Sequence, residues 1–116
     1  MITATFTLYD EIKHPKLVVT GHAGADVKGK DIVCASASIL LYTLAQVVQN
    51  MEEQGDLATE PIIVTEDGDA LISCICKTDE SYEETVGAFK VVRTGFDILA
   101  QNYPQYVELI TDGEAE

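Results

Sequence analysis

A chain of 116 residues is one domain's worth of polymer, long enough to bury a core without disulfides or metals. Its 47% hydrophobic content excludes disorder, no apolar run reaches the length of a membrane helix, and the opening MITATFTLYDE lacks the basic region of a secretory signal, which leaves the cytoplasm as the expected location. Seven Lys and Arg against twenty Asp and Glu give a net charge of −13, which repels a phosphate backbone and argues against nucleic acid as a partner. The same charge serves solubility, or steers a basic partner inward. Three cysteines, an odd number, read as reduced thiols.

Residues 2–9, ITATFTLY, alternate between apolar and polar side chains and predict a half-buried strand. DEIKHPK is a turn carrying His14, expected to face solvent, and KLVVTGH (16–22) is a second strand, paired with the first as an antiparallel hairpin. Residues 23–30 form a loop. Asp31 reads as the N-cap of a long helix that stops at Gly55. Apolar residues at 33, 37, 40, 41, 44, 47, 48 and 51 form its buried stripe. Ile39 and Ala45 widen that stripe, as a central core helix or a helix at a dimer interface would require. EPIIVTEDGDALISCICK predicts two strands about an Asp-Gly turn. A helix follows from about residue 80, with Ser81 and Glu84 at capping-box spacing. Its apolar stripe is Tyr82, Val86, Phe89, Phe96 and Leu99, interrupted by Arg93, and Pro104 ends it. QYVELI is a last short strand. The order β-β-α-β-β-α-β, dominated by hairpins, predicts an α+β fold: a mostly antiparallel sheet with two helices packed on it. A single domain spans 1–111, and 112–116 form a short acidic tail.

The chemistry concentrates in TGHAGADVKGKDIVCASAS, residues 20–38. Placed in the first turn of a helix, Cys34 lies near unpaired N–H groups and the positive end of the dipole, which favours thiolate. A thiolate attacks carbonyl carbon, and the same N–H groups can hold the resulting oxyanion. His22, at the end of the second strand, is placed to accept the thiol proton and later protonate a leaving amine. Without a third member, the pair would act as a dyad. The alternative for each is plain packing or a plain turn. Gly21, Gly24 and Gly29 let the loop between them move as a lid. Ser36 and Ser38 read first as small packing residues and second as substrate hydrogen-bonding groups. Cys74 and Cys76, on one strand face with Ile72, could make half a metal site, but with no second pair they read as core. No metal or cofactor is called for, and the glycine loop matches no nucleotide fingerprint.

Gly21-His22-Ala23, Gly29, Asp31, Ile32-Val33, Cys34-Ala35 and Ser38 together resemble the signature of the bacterial ribosomal-processing cysteine proteases, the Prp family. Length and element order agree with it over essentially the whole chain. The resemblance implies a homodimeric endopeptidase that removes the N-terminal extension of large-subunit ribosomal protein twenty-seven, a basic partner suited to an acidic enzyme. It implies Cys34 as nucleophile, His22 as general base and acid, and a flexible loop near 23–30. Gly21, Ala23, Gly24, Gly29, Asp31 and Ser38 would bind substrate or form the lid. Many members carry a bulky residue soon after Gly-His-Ala, where this chain has Gly24, Ala25 and Asp26. Two other readings of the residues stand beside this one. One is a non-catalytic acidic adaptor for a basic ribosomal protein. The other is a thiol sensor that oxidises Cys34 or joins it to Cys74 or Cys76.

Overall fold

Alternation along ITATFT builds the first strand, β1 (Ile2–Thr7), which buries Ile2, Ala4 and Phe6 and turns its threonines to the other face. The computed structural model describes residues 1–22, 30–66 and 68–111, with the side chains of Lys30 and Asp31 outside the description. After β1 come β2 (Lys16–Thr20), α1 (Lys30–Glu53), β3 (Ile62–Glu66), β4 (Asp69–Ser73), α2 (Asp79–Asn102) and β5 (Val107–Thr111). This is the expected order and fold class. The strands form one sheet in the spatial order β3-β4-β2-β1-β5. Every pairing is antiparallel except β1 with β5.

Register divides the sheet into two faces. Ala4, Val19, Ala70 and Thr65 stand in one row, and Phe6, Leu17, Ile72 and Ile63 in another. Those rows face the helices. The opposite face carries Thr5, Val18, Leu71 and Val64. α1 buries Val33, Ala37, Leu41, Leu44, Val48 and Met51. α2 buries Val86, Phe89, Val92, Phe96 and Leu99, so Val92 fills the gap expected at Arg93. Phe6 and Phe96 meet edge to face, 6.0 Å between centroids, and each such buried ring stabilises the core by about 2–3 kcal/mol. Where the helices meet, a Cβ on Gly95 would stand 2.5 Å from Leu40 Cδ2, so the missing side chain sets their approach.

Several local expectations are corrected. α1 begins at Lys30, which puts Asp31 inside the first turn and not at the N-cap. α2 is capped one residue ahead of its start by Thr78. Its Oγ1 accepts from the Ser81 N–H at 3.0 Å, and Ser81 Oγ accepts from the Thr78 N–H at 3.0 Å. The box is therefore Thr78–Ser81, not Ser81–Glu84. Ser81 wins because it is buried at the third helical position, while Asp79 and Glu80 complement the dipole. β4 stops at Ser73, short of the two cysteines. The chain continues along the DEIKHPK turn, with Cys74 N–H to Pro15 O (3.4 Å) and Cys76 N–H to Lys13 O (2.9 Å). Both cysteines are nonetheless buried in the core. His14 is half-buried, with Nδ1 3.8 Å from Asp10 Oδ2. The stretch Ile32–Glu53 does reach membrane-span length, at mean hydropathy 1.7 over its most apolar window. In this fold its apolar stripe packs on the sheet and α2. Of the two stripe-widening residues, Ala45 is buried and Ile39 is 61% exposed.

Candidate active site

The end of β2 is fixed by backbone. Gly21 donates its N–H to the Gly68 carbonyl at 3.0 Å. It adopts φ +88°, and a Cβ there would lie 2.1 Å from the Met1 carbonyl oxygen. Only glycine fits both demands. The next residue, His22, is held by its own carbonyl, which accepts from the Met1 ammonium. Its ring lies against Gly68, where a Cβ would come 2.5 Å from Nε2 and 2.7 Å from Cε1. Gly68 has φ +80° in the turn between β3 and β4. The histidine therefore projects from a rigid strand end onto a glycine platform.

Cys34 is supplied from the other side. It is the fifth residue of α1, half-buried, with Ala37, Ser38, Leu41 and Tyr42 following on the same helix face. His22 and Cys34 both line a cavity of about 260 Å³ between that face and the sheet end. Ile2, Val19 and Ala70 line it from the sheet, and Thr65, Glu66 and Asp69 from the β3–β4 hairpin. Glu66 and Asp69 are register partners, so one rim of the cavity carries two carboxylates. Ser36 and Thr43 turn their hydroxyls back to helix carbonyls, at 2.7 and 2.6 Å. Ser38 lines the cavity one turn after Cys34, and its hydroxyl makes no hydrogen bond among the described residues.

Of the residues singled out in the sequence, the structure gathers Gly21, His22, Cys34 and Ser38 at one cavity. Ala23, Gly24 and Gly29 lie outside the described residues, as does the side chain of Asp31. The sequence reading missed Gly68, Thr65, Glu66 and Asp69. The Asp-Gly hairpin signal was visible, but nothing in it shows that β4 lies beside β2. Cys34 as fifth helical residue also changes the chemistry: its N–H reaches back to the Lys30 carbonyl within the helix. The acceptor-free N–H groups belong to the turn ahead of it.

Cys74 and Cys76 lie towards the opposite end of β4 from Ala70, about 13 Å along the strand direction. Neither lines the cavity that holds Cys34, and all three cysteines are free thiols. The hydrogen bond between their thiols pushes Cys74 up and draws Cys76 down to about 7, helped by Thr85. Among the described residues no group of three or more His, Cys, Asp or Glu could hold a metal.

Comparison with known proteins agrees with this fold. The family model described as "Cysteine protease Prp" matches residues 1–108. A crystal structure of the essential ribosomal processing protease Prp from S. aureus, with a covalently linked product peptide, is 26% identical. It superposes with a TM-score of 0.68, covering 97% of this chain and 100% of that one. A crystal structure from Streptococcus mutans is 31% identical, at a TM-score of 0.65, covering 96% and 93%. The S. aureus protease with a substrate peptide, at 24% identity and a TM-score of 0.66, shares the fold. A comparison with curated proteins finds no significant match. With the family matched over nearly its whole length, this chain belongs to the Prp cysteine proteases.

Proposed function

We propose that this cysteine protease removes the N-terminal extension of large-subunit ribosomal protein twenty-seven, with Cys34 as nucleophile and His22 as general base and acid. The observation that carries the reading is that both side chains line one cavity in a chain of this family. His22 takes the Cys34 proton, and the thiolate attacks the scissile carbonyl, forming a C–S bond. N–H groups in the first turn of α1 and the Ser38 hydroxyl are the donors available to the oxyanion. The C–N bond then breaks, and the His22 imidazolium protonates the departing amine. Water, deprotonated by His22, attacks the thioester; the C–S bond breaks, the extension leaves as a carboxylate, and the proton on His22 returns the thiolate to the Cys34 thiol.

The acidic rim of Glu66 and Asp69 and the net charge of −13 suit a basic ribosomal protein, by steering it in. The S. aureus relative is itself a ribosomal processing protease. The outer faces of α1 and α2 leave Ile32, Ile39, Val91 and Ile98 exposed, apolar residues that fit a homodimer. The enzyme works in the cytoplasm.

The test is incubation with the ribosomal protein carrying its extension. Wild type releases the extension, while Cys34→Ser and His22→Ala lose at least about a thousandfold in rate. Equal cleavage by wild type and Cys34→Ser overturns the assignment.

A further inference from the structure

The sheet has two edges, and only one leads to the cavity. β3 is an edge strand, and its last two residues, Thr65 and Glu66, line the cavity with His22 and Cys34. The other edge, β5, contributes no lining residue to the cavity among the described residues.

Backbone parity shows what the β3 edge offers. The Cys74 N–H points toward β2, since it reaches the Pro15 carbonyl. Alternation along β4 then sends the backbone groups of Ile72 and Ala70 toward β2 and those of Ser73, Leu71 and Asp69 toward β3. The partners of the latter three are Ile62, Val64 and Glu66. Ile63 and Thr65 therefore direct their N–H and C=O groups away from the sheet. Among the described residues, no backbone hydrogen bond from elsewhere reaches either one.

Edge strands are ordinarily blunted by lysine, an internal proline or a bulge. β3 has none of these: its sequence is Ile-Ile-Val-Thr-Glu, and its five register pairs run without interruption. Ile62 and Val64 are 51% and 37% exposed along it. An open strand of β-branched residues that ends in a catalytic cavity is built to receive another strand.

We propose that the free edge of β3 is the docking track of the substrate. The extension adds to the sheet as an extended strand, paired with the backbone of Ile63 and Thr65, and is led past Glu66 to Cys34. This rests on the peptidase reading above and names how that peptide is held. Affinity comes from main-chain hydrogen bonds, so it tolerates changes in side chain along the extension. Discrimination is left to the residues that enter the cavity.

The test is a scan of singly N-methylated peptides spanning the junction between extension and body of the ribosomal protein. Binding is read against Cys34→Ala, and cleavage of the unmethylated peptide against wild type. Methylation of every second residue in the segment on one side of the cut should weaken binding about tenfold, with intervening residues tolerant. Uniform tolerance, loss without alternation, or no binding of the unmethylated peptide overturns the edge. Cleavage by wild type without alternation removes the edge and keeps the protease. Alternation without cleavage removes the proposed reaction and keeps the edge.

Discussion

The imidazole of His22 rests on the bare Cα of Gly68, a residue forty-six positions away on a different hairpin. A single added methyl there would lie 2.5 Å from Nε2. The candidate base is thus oriented by the turn between β3 and β4 as much as by its own strand. Gly68→Ala should displace the ring and strain a backbone held at φ +80°. We expect kcat/KM for peptide cleavage to fall by about tenfold to a hundredfold, mainly in kcat. Stability should drop by about 1 kcal/mol. Steady-state kinetics beside a urea titration separate the two, and wild-type kcat would remove the platform role.

Gly21→Ala should act mainly on folding. The new Cβ would collide with the Met1 carbonyl, which is backbone and has little room to yield. Together with the positive φ, this predicts a loss of about 2 kcal/mol or more. The urea midpoint reads it directly. A midpoint matching wild type would mean that the β1 terminus shifts at no cost.

The Thr78–Ser81 box predicts that Thr78→Ala costs about 1 kcal/mol, while Glu84→Ala changes stability by less than about 0.5 kcal/mol. Denaturant midpoints for the two variants decide between the observed cap and the one that the Ser81–Glu84 spacing suggested.

The buried thiol pair predicts a pH dependence of stability. Cys76 accepts from Cys74 and is drawn from 9.0 down to about 7 in the folded protein. Between about 7 and 9 the unfolded chain holds the proton that the folded chain has released. Stability therefore rises with pH across that window, and the contribution is lost as pH falls through 7. Cys74, pushed up by the same hydrogen bond, reverses the slope above 9. The unfolding free energy of wild type relative to Cys76→Ser should climb from pH 7 to 9. A flat difference would show that the Cys76 thiol is not drawn down in the folded protein.

How much of this was legible follows the range of the interactions. The two-residue period of ITATFT and the helical stripe from Val33 to Met51 are local, and both gave the right element with the right face buried. The Thr78 cap is local too, but two overlapping serine- and threonine-led spacings competed, and burial of Ser81 decided between them. His22 and Cys34, which share the cavity, were singled out because a reactive residue type sat beside an element end. Glu66, Asp69 and Gly68 were not. Their nearness to His22 depends on β4 lying next to β2, a pairing between strands separated by the whole of α1 and β3. No residue pattern within the hairpin carries that information.

The parallel pairing of β1 with β5 has a consequence in time. Ile2 lines the cavity, and its register partner is Val107, in the last strand of the fold. A contact between strands so distant in sequence forms late, after the cost of closing a long loop has been met. During synthesis, β2, α1 and the β3–β4 hairpin emerge well before β5 does. The last strand then pairs with β1 beside the Ile2 end of the cavity, so that wall gains its outer neighbour only when the fold has closed on itself.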